Sequence, residues 1–190
     1  MSKVKFGLKN VHIAPITSRG EDGKYTYGTI FKLPGAVNLS LEPQGDQSDF
    51  YADDIKYFSA YANNGYSGDL EIAMITDDFR EKIMGETKDS NGAFIESAND
   101  VFVSFALGFE ISGDEKGRRF WYYNCSCSRS KNEAKTIESS KEPSTDSLTI
   151  TAMARENDNK VRAFLSETEA NKTVYASFFS EVYDGDVITA

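Results

Sequence analysis

The stretch Val101-Phe102-Val103-Ser104-Phe105-Ala106-Leu107-Gly108-Phe109-Glu110-Ile111 places a large apolar residue at every odd position, while the even positions become small or polar. Helical faces need apolar residues three and four apart, so a period of two predicts a strand that buries one face. Ser112 to Gly117 carries Gly113-Asp114 turn chemistry, and Arg118–Arg129 resumes as an aromatic-rich strand with Phe120, Trp121, Tyr122 and Tyr123. The two strands read as one long hairpin.

The same period runs through most of the chain. Asn63-Asn64-Gly65 marks a second hairpin between Ile55–Ala62 and Ser67–Ile75, where Leu70, Ile72 and Met74 alternate with Asp69, Glu71 and Ala73. If the apolar set faces the core, Asp69 and Glu71 face the other side. Further strands are expected at Val4–Ile13, Lys24–Leu33, Val37–Leu41, Ser147–Ala154, Lys160–Leu165 and Thr173–Phe179. One short helix is expected over Thr76–Gly85. Thr76 caps it, Asp77 and Asp78 meet the positive end of its dipole, Phe79 and Ile83 share a face, and Gly85 suits its stop. The fold class is therefore mostly β, a sandwich or barrel-like arrangement with one helix and long loops.

With 190 residues the chain is the size of one domain, residues 1–190, and its 39% hydrophobic and 27% charged content fits a globular protein. Its net charge of -9 disfavours a general polyanion-binding surface. No window has the roughly 18 consecutive apolar residues of a membrane helix, and Met1–Phe6 lacks the apolar core of a secretion signal, so no membrane is expected and synthesis is expected in the cytoplasm. The charge is uneven. Residues 33–110 hold 4 basic residues (Lys56, Arg80, Lys82, Lys88) against 15 acidic ones.

Two stretches exceed the roughly 12 residues usual for a connection: Glu42–Asp54 and Arg129–Asp146. Both are candidate arms for contacting partners, the first through Glu42, Asp46, Asp49 and Asp53, the second through Arg129, Lys131, Lys135 and Lys141.

Catalytic signatures are missing. His12 is the single histidine, in a strand-like segment with no nucleophile motif nearby, and phosphate-binding glycine loops and zinc-hydrolase motifs do not occur. Cys125 and Cys127 sit two apart on one face of a strand and read as packed thiols, since zinc needs about four N/S ligands. Asp53-Asp54 and Asp77-Asp78 read as turn and cap residues, because neighbours on a strand point to opposite faces and form no catalytic pair. No enzyme, cofactor or metal is expected.

Particular strings then narrow the reading. Phe6-Gly7-Leu8-Lys9-Asn10-Val11-His12-Ile13-Ala14-Pro15, Leu33-Pro34-Gly35-Ala36, Phe50-Tyr51-Ala52-Asp53, Asn63-Asn64-Gly65-Tyr66-Ser67-Gly68-Asp69-Leu70-Glu71 and Arg118-Arg119 followed by Tyr123-Asn124-Cys125 occur in this order. They resemble the major tail protein, or tail tube protein, of long-tailed siphophages and prophages of Gram-positive bacteria. The resemblance spans about residues 5–154 and leaves 155–190 unmatched. It implies a tail tube domain, six copies to a ring, with stacked rings forming a hollow tail in the virion that conducts DNA during ejection. It also implies tape measure and tail terminator proteins as partners, and DNA as non-sticking cargo past lumen-facing acids, for which Asp69 and Glu71 are the candidates. The alternative is a carbohydrate-binding β-sandwich module of a phage tip or cell surface, using exposed aromatics as stacking platforms.

Overall fold

The computed structural model describes residues 5–113, 117–131, 136 and 144–185, with the side chains of Lys5 and Phe6 excepted. Thirteen strands appear in chain order: β1 (Lys5–Arg19), β2 (Tyr25–Tyr27), β3 (Phe31–Lys32), β4 (Ala36–Pro43), β5 (Gln47–Ala52), β6 (Ile55–Tyr61), β7 (Tyr66–Ile72), β8 (Thr87–Lys88), β9 (Phe94–Ile95), β10 (Phe105–Gly113), β11 (Arg118–Cys127), β12 (Asp146–Met153) and β13 (Arg162–Ser166). The main antiparallel sheet runs β2-β1-β10-β11-β12-β7-β4, with β13 added to β11 and β3 to β1. Here Leu33 N donates to Val11 O at 2.9 Å, and β4 comes against β1. The sheet thus curls back on itself, giving the mostly β, barrel-like fold that the alternation predicts.

Its interior is filled from inward positions of β1, β4, β7, β10, β11 and β12. Leu70, Ile72, Phe105, Leu107, Leu148 and Ile150 have no exposed surface, and Phe79 and Ile83 enter from the expected helix. Thr76 Oγ1 accepts from Phe79 N, and Gly85 closes the segment at φ 76. Between these caps lie one α turn, α1 (Asp77–Phe79), and a π-helical turn over Arg80–Met84. Cys125 and Cys127 both pack on the interior, and burial pushes the thiol of Cys127 up to about 12. A register shift between Phe105 and Leu107 keeps that face: Phe120 and Tyr122 point inward before it, Cys125 and Cys127 after it.

A second cluster lies on the outer face of β1, β10 and β11. The string 101–111 is expected to bury one face, whereas Phe105 through Glu110 are all buried. Residues 169–183 explain this by covering the other side. Trp121 Nε1 donates to Phe178 O at 2.8 Å, and Tyr123 Oη donates to Tyr183 O at 2.9 Å. Gly108 gives Trp121 its room, since a Cβ there would come within 2.8 Å of the indole. Arg155, 2% exposed, ties the covering segment down through ion pairs with Asp158 and Asp184.

Several expectations are corrected. Thr173–Phe179 is not a strand but contains a helix, α2 (Lys172–Ser177). A reciprocal Thr168–Asn171 cap starts the helical segment, and Tyr175 and Phe178, three apart, form its buried face. Val101–Ser104 precedes the strand, which starts at Phe105, and Lys24–Leu33 is broken into β2 and β3. Met74 does not join Leu70 and Ile72 inside; β7 ends before it, leaving it 70% exposed. Asn63-Asn64-Gly65 is not a hairpin turn between β6 and β7, because β6 pairs with β5 while β7 lies between β4 and β12.

Candidate functional site: a projecting ribbon and an acidic wall

The pairing just described makes residues 36–72 one long two-stranded ribbon. Its base, β4 with β7, belongs to the barrel wall; its distal half, β5 with β6, pairs with no third strand among the described residues. The ladder continues across the junction: Gln44 N donates to Gly65 O at 2.8 Å, Asn64 N to Gln44 O at 2.9 Å and Ala62 N to Asp46 O at 3.1 Å. The bend there needs glycine on both strands. Gly45 and Gly65 have φ of 153° and 89°, and a Cβ on either would meet a carbonyl oxygen at 2.0 Å or less. At the tip, Asp53 and Asp54 take φ of 51° and 58°, the two positive values of a tight type I′ turn. The sequence signal for this turn was faint because it has no glycine; aspartate occupies left-handed backbone through its short polar side chain.

Cross-strand register sorts the distal half into two faces. On one, Asp49 accepts from Gln47 and Ser59 at 2.8 Å each and pairs with Lys56 at 2.8 Å. Lys56, then Ser59, holds the Asp49 carboxyl below its ordinary range. Opposite pairs Phe50–Phe58, Ala52–Ile55 and Ser48–Ala60 make the other face, and nothing among the described residues covers it. Phe50, Ile55 and Phe58 are each about 60% exposed, and Tyr61, opposite Gln47 on the first face, is more so. Two strands alone are marginal in water, and clustered exposed aromatics mark a contact surface.

Asp69 and Glu71 lie on the outer side of the barrel wall while Leu70 and Ile72 pack inside. Thr149 Oγ1 donates to Asp69 at 2.8 Å, and Thr145 Oγ1 to Glu71 at 2.5 Å. Register sets Asn38, Ser40 and Glu42 of β4 and Ser147, Thr149 and Thr151 of β12 beside them. No lysine or arginine occurs in β4, β7 or β12. The wall is small, polar and acidic.

The candidate arm residues separate. Glu42 belongs to the wall, Asp46 to the bend, Asp49 to the hydrogen-bonded face and Asp53 to the tip. Glu42–Asp54 is therefore no loop. Arg129 turns back to pair with Glu96 at 3.0 Å, and Lys131 is exposed. Lys135 and Lys141 lie outside the described residues. The sequence shows Tyr51, Tyr57, Phe58 and Tyr61 as possible stacking platforms or interface anchors around a β6–β7 hairpin, with most aromatics expected in the core; their exposure on a ribbon of β5 and β6 is what the sequence did not show.

Among the described residues, no three His, Cys, Asp or Glu side chains converge into a metal-binding group, and no helix is long and apolar enough to cross a membrane. A scan against models of protein families finds no match, and a search of curated proteins finds no relative.

Proposed function

We propose that this chain is a structural subunit that self-assembles into stacked, six-membered rings, forming the tube of a phage tail and conducting DNA through its bore. The observation that carries this reading is the distal ribbon, whose apolar face is left open at Phe50, Ile55 and Phe58. In a monomeric protein such a face is an aggregation hazard; between identical subunits it is an assembly element. The acidic wall supports the same reading. Strands β4, β7 and β12 offer DNA phosphates carboxylates and hydroxyls but no cation, so a bore lined by them lets DNA slide without salt-dependent sticking. The role is that of a non-catalytic virion component, with other tail proteins at the ends of the tube.

Negative-stain electron microscopy of the purified protein tests this directly, with rings or long hollow cylinders as the expected result. A strict monomer at high concentration overturns the proposal. The rival is a carbohydrate-binding module, favoured by the exposed Tyr51, Tyr57 and Tyr61. It gains if that monomer binds glycans on an array.

A further inference from the structure

At the far end of β4 from the ribbon lies a cleft of about 740 Å³. Lys32, on its wall, is four residues upstream of Ala36, where β4 begins, whereas the ribbon leaves the barrel at Pro43 and Tyr66. The cleft is built from β1, β2 and β3 on one side and the covering segment on the other. Its floor is the His12 ring, stacked on Phe179 with centroids 4.4 Å apart. His12 Nδ1 bonds the Asn10 carbonyl at 2.7 Å, so the ring is fixed in place. Tyr25 lines the wall, and Lys24 and Lys32 are exposed at the rim. Among the described residues neither ammonium has an ion-pair partner. Glu181, also on the rim, offsets part of their charge.

The ribbon tip has the complementary character. Asp53 and Asp54 carry two exposed carboxylates on a turn only two residues wide, flanked by Tyr51 and Ile55. We infer that the cleft is the receptor for the ribbon tip of a second copy of this chain, with Asp53 and Asp54 between Lys24 and Lys32. Three observations carry this. The charges are opposite and, among the described residues, without ion-pair partners at Lys24, Lys32, Asp53 and Asp54, the cleft volume is in the range of about 300–1,000 Å³ that holds compact groups, and the cleft wall and the root of the ribbon follow from opposite ends of β4. Strand β4 alone spans roughly 26 Å, and the ribbon leaves the barrel at its Pro43 end, whereas Lys32 precedes its Ala36 end. A tip that enters a different surface on its neighbour makes a heterologous contact, which repeats head to tail instead of closing a symmetric dimer.

This inference rests on the self-assembly reading and names its receptor. Sedimentation velocity on wild type, Asp53→Asn/Asp54→Asn, Lys24→Glu/Lys32→Glu and an equimolar mixture of the two variants tests it. Asparagine keeps the positive-φ turn, and Lys24→Gln/Lys32→Gln provides a milder cleft variant; thermal melts establish that each is folded. Each variant alone is expected to associate at least about tenfold more weakly than wild type, an effect that added salt also produces. The mixture is expected to recover an association that neither variant shows alone, since it contains one intact tip and one intact cleft. Wild-type assembly that survives the cleft variants, or a mixture that stays monomeric, overturns the cleft while leaving self-assembly standing. A monomeric wild type overturns both.

Discussion

The two halves of one ribbon fare differently. In the base, Leu70 and Ile72 have no exposed surface; in the distal half, Phe50 and Phe58 are about 60% exposed, although both halves set apolar residues on one face and share one ladder. What differs is the company. Strand β7 has β12 on its free edge and the barrel interior behind it, whereas β6 has only β5 among the described residues. Alternation therefore tells which side of a strand is apolar, but burial depends on a third strand or another body standing behind it. Among the described residues of a single subunit the distal half lacks that body.

Substitutions can break this comparison. Leu70→Ala, in the base, is expected to have the largest effect, lowering stability by about 2–5 kcal/mol in thermal or denaturant unfolding because it opens a cavity in a packed interior. Phe58→Ala, the same type of truncation in the distal half, is expected to change monomer stability by less than about 0.5 kcal/mol while reducing the assembled fraction seen by light scattering. Comparable losses of monomer stability from the two would show that the distal face is covered within the subunit, against the contrast drawn above.

The smallest effect concerns His12, at the cleft floor. Burial, chiefly, holds its pKa below 6.5; the Asn10 hydrogen bond pulls it up, while Lys32 and Arg119 push it down. The unfolded chain then takes up the proton more readily than the folded one, so the stability His12 contributes is complete above about pH 6.5 and fades as pH falls below it. Wild type is expected to lose more melting temperature than His12→Gln between about pH 7.5 and about pH 5. The depressed carboxyls of Asp158 and Asp184, held chiefly by Arg155 in the case of Asp184, add their losses at lower pH in both proteins. Parallel curves would remove His12 from the titration.

Local chemistry was legible in the sequence where one or two residues decide it. The Thr76 cap, the Gly85 stop, the shared face of Cys125 and Cys127 and the opposition of Leu70 and Ile72 to Asp69 and Glu71 all follow from spacing. Pairing between distant strands was not. Asn63-Asn64-Gly65 has the composition of a hairpin turn, yet it serves as a bend, because β7 finds its partners in β4 and β12, one of them about 80 residues away. The covering segment was hidden for a related reason: its aromatics are too few and too close to the chain end to show a period, and their value lies in meeting Trp121 and Tyr123. Of the candidate site, the acidic wall residues were readable from alternation, and the aromatic face of the ribbon was not.

The bend at Gly45 and Gly65 leaves the backbone ladder unbroken, and that has a mechanical meaning. The ribbon is a cantilever clamped in the barrel wall, with no slack joint at its root. A pull on the tip becomes shear across the rungs between its two strands, which passes into β12 and the packed interior behind Leu70. The glycines set the angle of the beam while the rungs set its stiffness, so any load taken at the tip is shared by the whole subunit.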